Sequence, residues 1–152
     1  MTFEMWRRVL MAVLIGVIAF GLGFLFIPDF IHGIYGWGIY SAPDAHPAIS
    51  DDAARYLRLV YAVIGAILVG WGAALLMVTM GSFRRGEREG WNIIALSAVV
   101  WYVLDTALSL ILEFPFNAAL NTVFIAGILL PLAATFRHFY GSKRPLAAEQ
   151  AV

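Results

Sequence analysis

WNIIALSAVVWYVLDTALSLIL, residues 91–112, is the stretch whose reading decides the fold. At about 1.5 Å per residue it forms a helix of roughly 33 Å, enough to cross a hydrocarbon core of roughly 30 Å. It is apolar almost throughout, yet it carries a carboxylate, Asp105, in the half nearer its C-terminal end. On insertion scales such a residue costs about 2.5–3.5 kcal/mol, so it is expected to have a partner or a task. The rest of the chain reads as a small bundle packed around this helix.

Working outward, the 152 residues suit one domain. The apolar share of 62% and charged share of 13% exceed and undercut what a soluble domain carries. The fold class is all-α: a polytopic membrane protein with a four-helix transmembrane bundle. The helices are expected at about 6–27, 53–80, 90–112 and 118–138, followed by a polar tail over 141–152. The first apolar run ends in Phe24, Leu25, Phe26, Ile27 and Pro28. A cleaved leader would end in small residues, so this run reads as a span. Between the first two spans lies an extracytoplasmic connection, residues 28–52, rich in aromatics and glycines. Such composition suits the headgroup layer. It fits a lid on the membrane face and, as the sharper alternative, a flap over a cavity mouth. Pro43 and Pro47 break the chain there, and Ser50 before Asp51 and Asp52 reads as a helix cap.

Small residues suggest the packing faces. Ala62, Ala66, Gly70 and Ala74 recur every four residues in the second span, and Ala12, Gly16, Ala19 and Gly23 pair along the first. Such stripes let helices approach closely in lipid, so both are expected to face a neighbour. Pro131 inside the last helix predicts a kink.

Basic residues fall at Arg7 and Arg8, at Arg84, Arg85 and Arg88, and at Arg137, Lys143 and Arg144. The connection at 28–52 has no Lys or Arg. The positive-inside rule then predicts a multi-pass protein with both termini cytoplasmic.

The candidate site is the set of polar groups in the outer half. Asp105 lies roughly 10 Å below the end of its helix, and Arg58 and Asn121 lie roughly 6 Å down theirs. Trp101 and Ser109 share the Asp105 face one turn to either side, with Tyr102 and Thr106 beside it. Arg58, Trp101, Asp105, Ser109 and Asn121 form the expected ligand-binding cluster. Asp105 is expected to bond Arg58, with Asn121 or Ser109 taking its remaining capacity. Asn117 shares a face with Asn121 and could join them, but reads first as a plain helix cap.

Catalysis is not encoded recognisably. There is no Ser–His–Asp arrangement, phosphate loop or paired intramembrane carboxylate. The protein therefore leans away from being an enzyme. No catalytic residue, metal or cofactor is expected. His32 and His46 could meet a metal with Asp44, but loop histidines are more often surface residues. With no cysteine, disulfides and thiolate chemistry are excluded. Zero formal net charge gives no drive toward nucleic acid.

The strings RYLRLVYAVIGAILVGWG and WYVLDTALSLILEFPFNAALNTVFIAGILLPLAATFRHF resemble the BphX-like group of small four-helix bacterial membrane proteins. The likeness covers roughly residues 54–140, and a DoxX-like four-span family is the alternative. The resemblance implies a four-helix membrane protein of unassigned activity and carries over no site residue. Two functions are expected. One is an accessory membrane subunit, partnered by the bilayer, another membrane protein or a second copy. The other is a binder or carrier of a small hydrophobic or lipid-like ligand around Asp105.

Overall fold

The computed structural model describes residues 2–40 and 50–141. Pro43, Pro47, His46, Asp44 and the polar tail beyond Gly141 lie outside the described residues. Within them the chain forms five helices and no strand. These are α1 (Phe3–Phe26), α2 (Pro28–Tyr40), α3 (Asp51–Val78), α4 (Arg88–Ile111) and α5 (Pro115–Tyr140). A π turn, Thr79–Phe83, ends α3. The chain is thus all-α, and α1, α3 with its π turn, α4 and α5 are each long and apolar enough to cross a membrane.

The helix ends follow local chemistry. Ser50 caps α3 as its sequence suggests, accepting from the Ala53 amide at 3.3 Å. Thr2 does the same for α1. At Gly81 the backbone leaves helical geometry (φ −97°, ψ −106°), which turns the chain toward α4. Gly86 follows at φ +73°, a conformation that glycine adopts without steric penalty. The hairpin between α4 and α5 is closed by Glu113 at φ 63°. The Phe114 amide bonds the Ser109 carbonyl at 2.7 Å and the Glu113 amide bonds Leu110 at 3.2 Å, the Schellman pattern of a left-handed helix end. Pro131 sits inside α5 without interrupting it.

α1 is the central strut. Leu10, Leu14, Val17, Gly21 and Phe24 are buried at alternating steps of four and three, so one stripe runs the length of the helix. It packs most extensively on α3 and then on α5, while α4 packs on α5. The closest approach is between glycines. A Cβ on Gly65 would lie 2.6 Å from the Gly21 carbonyl oxygen, and one on Gly72 would lie 2.7 Å from Ile18 Cγ1.

This corrects the expected packing faces. Ala66, Gly70 and Ala74 are exposed, and nothing lies within 4 Å of a Cβ built on Gly70 or Gly16. A four-residue step advances about 400° and drifts around the helix, whereas Gly65 and Gly72, seven apart, stay aligned. The glycines that let the backbones meet are those at the seven-residue spacing.

The end holding the start of α1, the end of α5 and the π turn is densely filled. Phe3, Phe83 and Phe139 pack ring against ring. Arg88 donates to the Phe139 carbonyl at 3.0 Å, and the Trp91 indole donates to the Leu132 carbonyl at 3.0 Å. The opposite end is built differently, because α2 lies there. Residues 28–40 are helical despite three glycines; Pro28 opens the helix with its φ preset. Ile31 is buried, while Phe30 and Trp37 point outward. Tyr35 turns inward toward α5.

Candidate functional site

Asp105 sits on α4 opposite the first turns of α5. Its Oδ1 accepts from Asn117 Nδ2 at 3.0 Å and faces Ser109 Oγ at 3.3 Å. The Ser109 hydroxyl has its shorter contact with the Asp105 backbone carbonyl, 2.7 Å away. Asn117 Nδ2 also donates to Ser109 Oγ at 2.8 Å. From α2, the Tyr35 hydroxyl donates to Asn117 Oδ1 at 3.0 Å. One chain of hydrogen bonds thus runs from α2 through α5 to α4. Burial first, then the nearby Asp105 and Tyr61, push the Tyr35 phenol up to about 12, so it remains a donor at neutral pH.

These groups form one wall of a cavity of about 360 Å³, at the lower end of the range for small-molecule sites. Trp101, Asp105, Asn117 and Asn121 contribute from α4 and α5, and Tyr35 from α2. The remaining wall is apolar: Val17, Phe20 and Phe24 from α1, Ile64, Ile67, Leu68 and Trp71 from α3, and Leu120, Phe124 and Ile128 from α5. Trp71 and Trp101 meet with ring centroids 5.5 Å apart. Asn121 is 4% exposed, and its Nδ2 reaches Thr106 Oγ1 at 3.4 Å.

The cavity opens along α3. Ile64 and Ile67 line it and also stand on the outer surface, 37% and 64% exposed. α4 packs on the π turn and only sparingly on α3 itself. The sparse packing of these two helices leaves room for the cavity between them.

Of the residues expected to cluster, Trp101, Asp105, Ser109 and Asn121 come together, and Arg58 does not. Arg58 is exposed beside a separate cleft of about 100 Å³, lined by Pro28, Asp29, His32 and Tyr61 among others. It forms no ion pair among the described residues; those present join Arg7 and Arg8 to Glu4, and Arg85 to Glu87. The expected bond from Arg58 to Asp105 is therefore replaced by Asn117 and Ser109. The reason is azimuth. Arg58 is seven residues before Gly65, on the face turned to α1, whereas Ile64, Ile67, Leu68 and Trp71 carry the face toward Asp105. Depth along the helix was matched, and direction was not.

Two members were missed. Asn117 is not the cap of α5: Pro115 opens that helix, so Asn117 lies inside its first turn and faces α4. The motif EFPFN carried that signal, since proline prefers the first helical position. Tyr35 was hidden because α2 was read as a connection.

Chemically, this is a single carboxyl group held by donors. The Ser109 hydroxyl is committed to a carbonyl, and His32 lines the second cleft, where it bonds Tyr61 at 2.9 Å. No group of three or more His, Asp or Glu among the described residues could hold a metal. What the arrangement can do is grip a polar head beside an apolar body.

No family model, curated protein or solved structure matches the chain.

Proposed function

We propose that the protein binds or carries a small hydrophobic or lipid-like ligand within a membrane. The observation that carries this reading is the cavity itself. It has an apolar wall, a polar patch at Asp105 and Asn121, and a side opening that apolar molecules could reach from lipid. A structural role for Asp105 alone requires no such space, since interhelical polar contacts need only touching side chains. Both termini are proposed to be cytoplasmic, on the positive-inside rule, in a bacterial cytoplasmic membrane. Membership of the BphX-like or DoxX-like group is likewise a proposal, and nothing in the site reading depends on it.

The test is ligand-linked stability in lipid nanodiscs. 4-Phenylbutanol should raise the melting temperature saturably, because a ligand that binds only the folded state stabilises it by mass action. Leu68→Trp fills the cavity and should abolish that rise. An unshifted wild type, or an equal shift in the variant, would count against the reading.

A second reading, an accessory or oligomeric subunit, is favoured by the exposed Ala66, Gly70 and Ala74 face. Small residues on an outer helix face admit a close-packed second helix. This face borders the cavity, since Ile67 lines the cavity and stands seven residues before Ala74.

A further inference from the structure

The polar patch has a definite hydrogen-bonding sign. Asn117 spends both amide hydrogens, on Asp105 and Ser109. Ser109 spends its hydroxyl hydrogen on the Asp105 carbonyl, and Tyr35 spends its own on Asn117. With the donors committed, acceptor capacity remains. Asp105 Oδ2 and Asn121 Oδ1 take no hydrogen bond among the described residues, and both side chains line the cavity. An occupant that presents donors can use both. A carboxylate- or phosphate-headed lipid would instead set a like charge beside Asp105, which disfavours it.

The charge balance narrows the class further. The cavity lining contains no Lys or Arg, and Arg58 belongs to the other cleft. A carboxyl group in an apolar wall without a cation is incomplete in the way a buried charge is incomplete without its partner. The aromatic faces of Trp71, Trp101 and Phe124 also line the space, and such rings attract a cation while sheltering its hydrocarbon body.

We propose that the cavity takes a small lipophilic ammonium ion. It enters from the bilayer between α3 and α4 and sets its N–H donors on Asp105 Oδ2 and Asn121 Oδ1. This rests on the binder reading and adds the class of ligand and its route. Room for roughly a dozen waters, at about 30 Å³ each, suits a ring with a short chain.

The experiment is calorimetry at neutral pH with protein in nanodiscs, subtracting empty nanodiscs, using 4-phenylbutylamine, 4-phenylbutanol and 4-phenylbutyrate. Both partners are charged when the ammonium meets Asp105 and only one is when the alcohol does, a difference that should give the amine about tenfold over the alcohol. The carboxylate should bind weakest. Asp105→Asn should remove the amine's advantage, lowering the amine's affinity about tenfold more than the alcohol's. Should that variant not fold, the three-ligand comparison on wild type decides alone. Equal amine and alcohol affinities, or tightest binding of the carboxylate, overturn the ammonium class and leave the cavity reading standing. Binding of none of the three overturns both. For the route, Ile67→Phe should slow amine uptake in stopped-flow tryptophan fluorescence, and unchanged uptake refutes entry between α3 and α4.

Discussion

Replacing Gly65 by alanine places a methyl carbon 2.6 Å from the Gly21 carbonyl oxygen, 2.9 Å from Leu25 Cγ and 3.0 Å from Phe24 Cβ. Ordinary close contacts between carbon and oxygen start at about 3.3 Å, so roughly 0.7 Å must be found. The nearest atom is backbone oxygen in the middle of a helix and cannot rotate away. α1 and α3 must part, and a gap of that size forfeits a quarter to a half of the dispersion well across the contact. Overpacking of this kind costs about 1–3 kcal/mol, offset by about 1 kcal/mol of helix propensity gained over glycine. The net expectation is a loss of up to about 2 kcal/mol, and a deficit of about 1–3 kcal/mol against a substitution that gains the propensity without the clash. Gly70→Ala is the matched control: nothing lies within 4 Å of its Cβ, so it should gain up to about 1 kcal/mol. Reversible unfolding of both variants in one detergent, by circular dichroism, reads the difference directly. If Gly65→Ala is as well tolerated as Gly70→Ala, the glycine contact between α1 and α3 is wrong.

Asn117→Leu should destabilise by about 2–3 kcal/mol, because it strands the Tyr35 hydroxyl and the Asp105 carboxyl together; a neutral result in the same unfolding assay refutes the network. Arg58→Leu and Asp105→Asn should be additive within about 0.5 kcal/mol, as for residues without a shared partner, and a larger coupling would restore the pair. Glu113→Gly should stabilise by about 0.5–1 kcal/mol, since the left-handed cost of a side chain exceeds the extra entropy of glycine; a lower melting temperature would contradict that hairpin geometry. For topology, Leu112→Cys should react with an impermeant thiol reagent on intact cells and Glu89→Cys should not, and the reverse labelling overturns the proposed orientation.

The four long helices were legible because uninterrupted apolar length is a one-dimensional property, and a bilayer-spanning run states it outright. The site was legible only where it is also one-dimensional. Ser109 follows Asp105 by one turn, so their meeting could be read from spacing. Arg58 and Asn117 needed rotation as well as depth. Arg58 has the right depth on the wrong face of α3, and Asn117 has a face that becomes visible only once Pro115 is placed as the first residue of α5. The alanine stripe misled for a related reason. Ala62, Ala66, Gly70 and Ala74 look like a contact face when spacing alone is counted, but backbone contact needs the missing Cβ of Gly21, Gly65 and Gly72.

The cavity follows from an imbalance between the two ends of the bundle. At one end the π turn and the rings of Phe3, Phe83 and Phe139 fill the space between helices, and the indole of Trp91 and the guanidinium of Arg88 tie α4 to α5. Toward the other end, Gly21 and Gly65 draw α3 against α1, on the side away from α4. α4 in turn is held to α5 by Asn117 and by Tyr102, whose hydroxyl lies 3.2 Å from Thr122 Oγ1. Each of the outer helices is thus fastened to its own partner, and Trp71 against Trp101 bridges them. α3 and α4 otherwise pack only sparingly, and α2 reaches over with Tyr35. A packed bundle with a buried acid would have filled this space with aliphatic side chains. Instead, acceptors of Asp105 and Asn121 are left facing it, a capacity that a donor-bearing ligand or water can take up.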